Sequence, residues 1–188
     1  MHWNIPNQLT LLRILLIPVI VGIFYVPATV LSQHGINVLA TSAFALAAIT
    51  DWFDGYLARA LNQTSDFGAF LDPVADKLMV AAALVVLVEF NRVGATVALI
   101  IIGREITISA LREWMAGMGE RSSVAVAMIG KVKTVAQMVA ILFLLYYDPI
   151  LGINIKFIGQ VLIIIAAFLT LLSMVYYLRA AWPRINGD

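Results

Sequence analysis

The sequence contains no cysteine, and its only histidines are His2 and His34. The absence of cysteine excludes disulfides, thiolate nucleophiles and cysteine-ligated metal centres. Both histidines lie at the ends of apolar segments, which argues against a histidine nucleophile or proton relay. Chemistry that depends on either residue type is therefore not expected.

Charge is also scarce in this sequence. Only 12% of the 188 residues are charged, against about 25% in soluble domains, and 62% are hydrophobic. A soluble fold of this composition could not cover its surface with polar groups, which excludes a cytosolic enzyme, a disordered tail and a nucleic-acid module. The net charge of +1 does not by itself point to an electrostatic partner. The composition predicts a protein that resides in membrane lipid.

The hydrophobic residues fall into six runs separated by turn signals. A spanning helix needs about 20 apolar residues, and open sheet edges are not tolerated in lipid. We therefore predict an all-α, polytopic fold of six transmembrane helices with a short N-terminal interfacial segment, forming one membrane-embedded domain over residues 1–188. The runs are Leu9–Val26, Ile36–Ala60, Phe67–Phe90, Val93–Met115, Val124–Tyr147 and Leu151–Leu178.

The basic residues predict the orientation of the spans. If the N-terminus is cytoplasmic, only Arg92 and Lys156 face the opposite side of the membrane. Cytoplasmic loops carry an excess of lysine and arginine, so both termini are expected in the cytoplasm. The basic residues on that side are Arg13, Arg59, Arg112, Arg121, Lys131, Lys133, Arg179 and Arg184.

Four aspartates occur in the second and third runs. Asp51 and Asp54 are three residues apart, and Asp72 and Asp76 are four apart, so each pair shares a helix face. A polar turn near Gln63 lies midway between the pairs. An antiparallel hairpin would therefore bring all four carboxylates to similar depth, near the cytoplasmic surface. Carboxylates inside a membrane are costly, which makes them functional candidates.

The hairpin carries more acids than bases, because only Arg59 and Lys77 accompany its carboxylates. Structural salt bridges would leave several carboxylates unpaired, so metal ions or protons are needed. Carboxylate oxygens suit Mg²⁺, Mn²⁺ or Ca²⁺, and paired ions are suited to phosphoryl transfer. Gly55 and Ala58 would leave room for a ligand, or would serve tight helix packing. Arg59 can bind a phosphate with two parallel hydrogen bonds.

These residues form a spaced pattern that resembles the signature of the CDP-alcohol phosphotransferase family. Short segments at residues 4–13, 104–105, 111–114, 121–123 and 130–134 are similar to the bacterial members that make phosphatidylglycerol phosphate. The pattern D-x2-D-G-x2-A-R-x8-G-x3-D-x3-D is met in full by Asp51, Asp54, Gly55, Ala58, Arg59, Gly68, Asp72 and Asp76.

The resemblance implies a six-helix enzyme of the bacterial inner membrane, commonly a homodimer, with its active site facing the cytoplasm. It would transfer the phosphatidyl group of CDP-diacylglycerol to sn-glycerol 3-phosphate and release CMP. By the resemblance, Asp76 is also the general base toward the glycerol hydroxyl. Two divalent cations, Mg²⁺ or Mn²⁺, would be held by Asp51, Asp54, Asp72 and Asp76. The cytidine diphosphate would contact Gly55, Ala58, Arg59, Asn7 and Thr10.

An acceptor with a dianionic phosphate would require a second cationic site. We expect Arg112 and Lys133 to bind this phosphate directly, with Arg121 and Lys131 behind them. Alternatively, basic residues at helix ends enforce topology and contact anionic lipid. Arg104 lies in the middle of its run, so it is either paired with a carboxylate or pointed at the substrate.

Two other functions stay open. Another acceptor, such as serine, inositol phosphate or phosphatidylglycerol, would suit the same family pattern. A transporter coupled to divalent cations or protons is the alternative from a different class. It would require acids spread through the bilayer and broken helices at its midplane, whereas here the acids gather near one face.

Overall fold

The computed structural model describes residues 5–60, 66–117 and 127–185, and these residues fold almost entirely into helices. An isolated bridge between Ile150 and Ile153 is the sole β-type pairing among them. The all-α prediction is thus confirmed for the described residues. Their helices are α1 (Ile5–Ile23), α2 (Gln33–Ala60), α3 (Asp66–Glu89), α4 (Ala95–Gly117), α5 (Ala127–Tyr146) and α6 (Ile155–Ile185).

Local sequence explains several helix ends. Ser32 precedes α2 and accepts a hydrogen bond from the Gly35 amide at 3.2 Å, and Asn154 precedes α6 and accepts one from the Phe157 amide at 3.1 Å. Such side chains satisfy amides that lack a partner at helix N-termini. Asn91 adopts a positive φ of 55° just after α3, a conformation that asparagine tolerates.

The first helix begins earlier than its apolar run. Leu9 was the expected start of the first span after an interfacial segment, but α1 already begins at Ile5. The first turns of α1 contain polar residues that face the interior of the bundle, since Asn7 is 5% exposed and Thr10 is fully buried. An apolar run therefore does not mark the start of this helix. Pro6 is tolerated because the amides of a first helical turn have no helical partner.

The six helices form a closed ring. Contacts join them in the cyclic order α1, α3, α4, α6, α5, α2 and back to α1, and a smaller contact between α3 and α5 crosses the ring. Small residues such as Ala40, Ala83 and Ala140 are fully buried, which lets helix backbones approach closely. Larger residues, including Phe44 and Leu144, fill the remaining core.

The outer surface of the ring is apolar. Large side chains such as Leu15, Leu99 and Phe168 are more than 60% exposed, and a soluble monomer rarely shows contiguous apolar surface of this kind. Among the described residues, one stretch is long and apolar enough to cross a membrane, Ile155–Arg179 in α6. Shorter apolar stretches occupy Asn7–Ile23 and Val132–Tyr146. The membrane character is consistent with these features, and the six spans stay a prediction.

A polar cluster ties the helices together at the end of the ring where α5 finishes. Arg92 is 4% exposed and donates hydrogen bonds to the Leu144 and Leu145 carbonyls at 3.0 and 2.7 Å and to Asn37 Oδ1 at 2.6 Å. Asp148 accepts hydrogen bonds from Asn37 Nδ2 at 3.0 Å and pairs with His34 at 2.8 Å.

The environment of this cluster shifts two pKa values. Burial lowers the pKa of the Arg92 guanidinium, and the nearby Tyr147 and Asp148 partly oppose that shift. Burial tends to raise the pKa of Asp148, but hydrogen bonds from Asn37 and His34, with the charges of His34 and Arg92, outweigh it. The pKa of Asp148 therefore lies below its ordinary value.

Candidate active site

A cavity of about 640 Å³ opens among α2, α3, α4 and α5. Each of these helices contributes polar or charged side chains to its wall. Because burying charges in a bundle is costly, their gathering at one cavity marks it as the candidate site. The polar groups lining it include Asp51, Asp72, Asp76, Lys77, Arg104, Glu105, Ser109, Glu113, Lys133, Thr134 and Gln137.

The carboxylates of α2 and α3 converge on one buried arginine. Arg13 of α1 is fully buried, and its Nη1 lies 2.6 Å from Asp76 Oδ1 and 2.8 Å from Asp51 Oδ1. Both aspartates are about two-fifths exposed toward the cavity. Two carboxylates from different helices therefore share one positive charge, which offsets their mutual repulsion.

Polar residues on one face of α1 cover these carboxylates. Thr10 Oγ1 donates a hydrogen bond to Asp72 Oδ1 at 2.5 Å. Asn7, Thr10 and Arg13 are spaced three residues apart and are all buried, so they line one side of the helix. Asn7 and Thr10 are predicted to contact the nucleotide. In the structure Thr10 contacts the Asp72 carboxylate, which lines the cavity.

Sequence reasoning missed the part that Arg13 plays here. It counted Arg13 among the residues that orient the spans, and its balance of acids and bases in the hairpin left this cation out. The signal was available, because Asn7, Thr10 and Arg13 form a polar stripe at helical spacing within an apolar segment. Such a stripe in a spanning helix indicates an inward-facing face with a partner.

The opposite side of the cavity carries a second charged group, formed by α4 and α5. Lys133 is 3% exposed and forms an ion pair with Glu105 Oε1. Arg104 Nη1 lies 3.4 Å from the same oxygen, and its Nη2 donates to Ser173 Oγ at 3.0 Å. Arg104 therefore pairs with a carboxylate, as one of the two alternatives predicted, and it also lines the cavity. That it contacts the substrate stays a prediction.

The chain resembles a known protein family over most of its length. Residues 3–172 match the family described as CDP-alcohol phosphatidyltransferase. The chain belongs to this family. The family resemblance drawn from the spaced aspartates is thereby confirmed, and the chain is a phosphotransferase. Enzyme chemistry is favoured over the transporter alternative.

Curated relatives of this CDP-alcohol phosphatidyltransferase cover nearly all of it. Proteins named CDP-diacylglycerol–glycerol-3-phosphate 3-phosphatidyltransferase from Escherichia coli (strain K12) and Shigella flexneri serotype 5b (strain 8401) are each 52% identical to it over 183 residues. The alignments span 96% of this chain and 96% of each relative.

Several predicted site residues of this phosphatidyltransferase lie outside what the structure describes. On α2, α4 and α5 the backbone is described, but the side chains that carry these predictions are not. Arg121 falls in the stretch between residues 117 and 127, beyond the described residues. The other affected predictions are Asp54, Gly55, Ala58, Arg59, Arg112 and Lys131.

The donor set suits divalent cations. Among the side chains that the structure describes, no group of three histidines or acids is arranged to hold a metal ion. However, Asp51 and Asp76 already converge on one cation, the Arg13 guanidinium, and Asp72 lines the same cavity. Carboxylate oxygens are the ligands that Mg²⁺ and Mn²⁺ prefer. The residues present therefore fit such ions.

Proposed function

We propose that this enzyme transfers the phosphatidyl group of CDP-diacylglycerol to sn-glycerol 3-phosphate, giving phosphatidylglycerol phosphate and CMP. The observation that carries the proposal is the 52% identity, over 96% of both chains, to relatives named for that reaction. The cavity is in keeping with it, because Asp51, Asp72 and Asp76 line it from α2 and α3, and the cations Arg104 and Lys133 line it from α4 and α5 beside Glu105 and Glu113. This arrangement suits a metal-bound pyrophosphate and an anionic acceptor.

The donor would occupy the side of the cavity where α2 and α3 meet. Asp51, Asp54, Asp72 and Asp76 would hold two divalent cations, Mg²⁺ or Mn²⁺. When bound, these ions would neutralise the pyrophosphate and make CMP a better leaving group. The cytidine diphosphate would contact Gly55, Ala58, Arg59, Asn7 and Thr10.

The transfer would be a direct displacement. A glycerol hydroxyl attacks the phosphorus that bears the diacylglycerol group, the new O–P bond forms, and the P–O bond to CMP breaks. Asp76 accepts the hydroxyl proton in the transition state. Arg13 supports this function by holding the Asp76 carboxylate from α1, at 2.6 Å. No covalent enzyme intermediate is needed.

The acceptor phosphate would bind on the side of the cavity formed by α4 and α5. Lys133 and Arg104 line the cavity and are both more than nine-tenths buried. Glu105 positions both cations, because each contacts its Oε1. Arg112, Arg121 and Lys131 would add positive charge on the same side. Guanidinium and ammonium groups are the usual protein ligands of phosphate.

The membrane arrangement is part of the proposal. We place all six helices across the inner membrane of a bacterium, with both termini and the cavity on the cytoplasmic side, in a single domain over residues 1–188 that forms a homodimer. The apolar stretch Ile155–Arg179 and the exposed hydrophobic side chains support a lipid environment. The distribution of basic residues supports the orientation.

Release of CMP by purified protein tests the proposed function. The protein in detergent, supplied with CDP-diacylglycerol, Mg²⁺ or Mn²⁺ and sn-glycerol 3-phosphate, should release CMP and form phosphatidylglycerol phosphate. Serine, inositol phosphate and phosphatidylglycerol in parallel reactions test the alternative acceptors. Faster turnover with one of these would move the assignment within the family, and no CMP release with any acceptor would refute the transfer reaction.

A further inference from the structure

Gln137 of α5 is buried with an unmet hydrogen-bonding capacity. Its side chain is 3% exposed, yet its carbonyl oxygen Oε1 accepts no hydrogen bond from any group in the described part of the chain. A buried polar atom without a partner costs free energy, and native structures retain few of them. Because Gln137 lines the cavity, a ligand bound there can supply the hydrogen-bond donor that Oε1 lacks once the side-chain amide turns toward it.

The position of Gln137 relates it to the acceptor side of the cavity. Lys133 and Gln137 are four residues apart on α5 and both line the cavity, so they share a helix face. Four residues of helix rise by about 6 Å, a length comparable with that of a three-carbon polyol phosphate. Asp76 lines the same cavity from α3.

We infer that Gln137 Oε1 accepts a hydrogen bond from the non-reacting hydroxyl of the acceptor, the C2 hydroxyl of sn-glycerol 3-phosphate. The inference rests on the proposed function. Within that acceptor the ionised phosphate carries no donor and would bind Lys133, while the attacking hydroxyl gives its proton to Asp76. The C2 hydroxyl is the remaining donor. A carbonyl oxygen suits it, because it accepts hydrogen bonds and attracts no anion.

Gln137 would thereby determine acceptor specificity. A site built to pair with a substrate hydroxyl discriminates against analogues that lack it, because its buried polar group is then left unpaired. This effect differs from tighter phosphate binding, which would favour every phosphorylated acceptor equally. The distinction makes the inference measurable with one pair of substrates.

The test compares sn-glycerol 3-phosphate with 3-hydroxypropyl phosphate, which lacks only the C2 hydroxyl. For the wild-type enzyme we expect kcat/KM to be about ten- to one-hundredfold lower with the analogue, as one unpaired buried acceptor would cause. Gln137→Met keeps the length of the side chain and removes the acceptor oxygen. It should lower kcat/KM for sn-glycerol 3-phosphate by a similar factor and leave the value for the analogue unchanged.

Two further variants guard against structural explanations. Gln137→Glu keeps an acceptor oxygen in place, so it should preserve the preference for sn-glycerol 3-phosphate even if the added charge slows both acceptors. Gln160→Met makes the matched substitution on α6, away from the cavity wall, and should alter neither value. If Gln137→Met does not fold, the inference is still tested by the wild-type preference for sn-glycerol 3-phosphate over the analogue and by whether Gln137→Glu keeps that preference.

The outcomes separate this inference from the proposed function. Equal losses for both acceptors in Gln137→Met would overturn the inference, and so would a wild-type enzyme that uses both acceptors with equal efficiency. In either case CMP release would uphold the transfer reaction itself. A wild-type protein that releases no CMP with either acceptor would overturn the proposed function, and the inference with it.

Discussion

At the scale of single residues, the acidic side of the cavity, formed by Asp51, Asp72 and Asp76, depends on a balance between these carboxylates and one buried cation. Arg13 is fully buried and contacts carboxylates on both α2 and α3. A buried charge is tolerated only when it is paired, so neither Arg13 nor its partners can be changed without cost to the others.

Removal of the proposed base, Asp76, should abolish turnover without unfolding the protein. In Asp76→Asn the amide cannot accept the hydroxyl proton, so we expect CMP release to fall by about 10²–10⁴-fold. Asp72→Asn should also inactivate, because it removes a proposed metal ligand. Asp148→Asn is a matched control, since Asp148 lies in the cluster with Asn37 and His34 rather than in the cavity. Near-normal turnover of Asp76→Asn would refute the base assignment.

Removal of the buried cation should destabilise the protein most when metal is absent. Arg13→Met leaves Asp51 and Asp76 facing each other, and we expect a loss of about 1–3 kcal/mol in the free energy of unfolding. The value is modest because both carboxylates are about two-fifths exposed. Unfolding in detergent with EDTA measures the loss, and Mg²⁺ should restore more stability to this variant than to the wild type. Equal responses to Mg²⁺ would contradict the shared site.

At the scale of helices, connections at the ends of elements determine which helices meet. Arg92 follows α3 and donates to carbonyls in the last turn of α5, where positive charge is also favoured by the helix dipole. Its guanidinium lies 4.5 Å from the centroid of the Tyr147 ring and 5.2 Å from that of Phe24. One side chain thus joins residues that adjoin α1, α3 and α5.

Loss of Arg92 should weaken the bundle and spare the chemistry. Arg92→Met leaves the Leu144 and Leu145 carbonyls without their donor, while Asn37 Oδ1 keeps the hydrogen bond from Gln33 Nε2 at 3.2 Å. We expect the free energy of unfolding to fall by about 2–4 kcal/mol. Turnover per folded molecule should stay close to the wild-type value, because Arg92 does not line the cavity. A variant of unchanged stability would show that water replaces these hydrogen bonds.

The same cluster predicts a dependence of stability on pH. The pKa of Asp148 is depressed in the folded protein, mainly by hydrogen bonds from Asn37 and His34 that outweigh the effect of burial. The unfolded carboxylate binds its proton more tightly, so this contribution is complete above its unfolded pKa of about 4. It is lost as pH falls through the folded pKa. Unfolding of the wild type and Asp148→Asn between pH 3 and 6 should show a smaller acid-induced loss in the variant.

The contrast between sequence and structure is clearest at this scale. Each apolar run corresponds to a helix of the structure. This could be predicted because the length of a hydrophobic run is read directly from the sequence. The start of α1 was missed because Asn7 and Thr10 face inward, and only the packed bundle shows this. Asp51, Asp72 and Asp76 line one cavity, as hairpin spacing suggested. The polar stripe of α1 indicates a partner, but which carboxylates it contacts could not be predicted, since helix order around the ring is not encoded in local spacing.

At the scale of the whole molecule, the closed ring presents apolar side chains outward and charged side chains to one cavity. Leu15, Leu99 and Phe168 face outward, whereas Asp76 and Lys133 line the cavity. This inversion of the soluble pattern is expected where lipid is the solvent. In the proposed function, it would also let a lipid-linked donor reach the site from the bilayer while a water-soluble acceptor enters from the cytoplasm.

The absence of cysteine allows the proposed orientation to be tested directly. Gln63→Cys and Thr96→Cys would each carry a single thiol in the whole chain. An impermeant maleimide should label Thr96→Cys in spheroplasts and Gln63→Cys only in inverted vesicles, because the proposed orientation puts position 63 on the cytoplasmic side and position 96 on the opposite side. CMP release by both variants verifies that they are folded. The reverse labelling pattern would invert the topology.

The contact of α1 with both α2 and α3 has a consequence for biosynthesis. In the proposed membrane arrangement α1 is synthesised first, so Arg13 would enter the bilayer before the aspartates of α2 and α3. A carboxylate that enters lipid beside a waiting guanidinium avoids most of the cost of inserting an isolated charge. The first helix would thus lower the cost of inserting the acidic residues of α2 and α3, before α6 is synthesised and completes the ring.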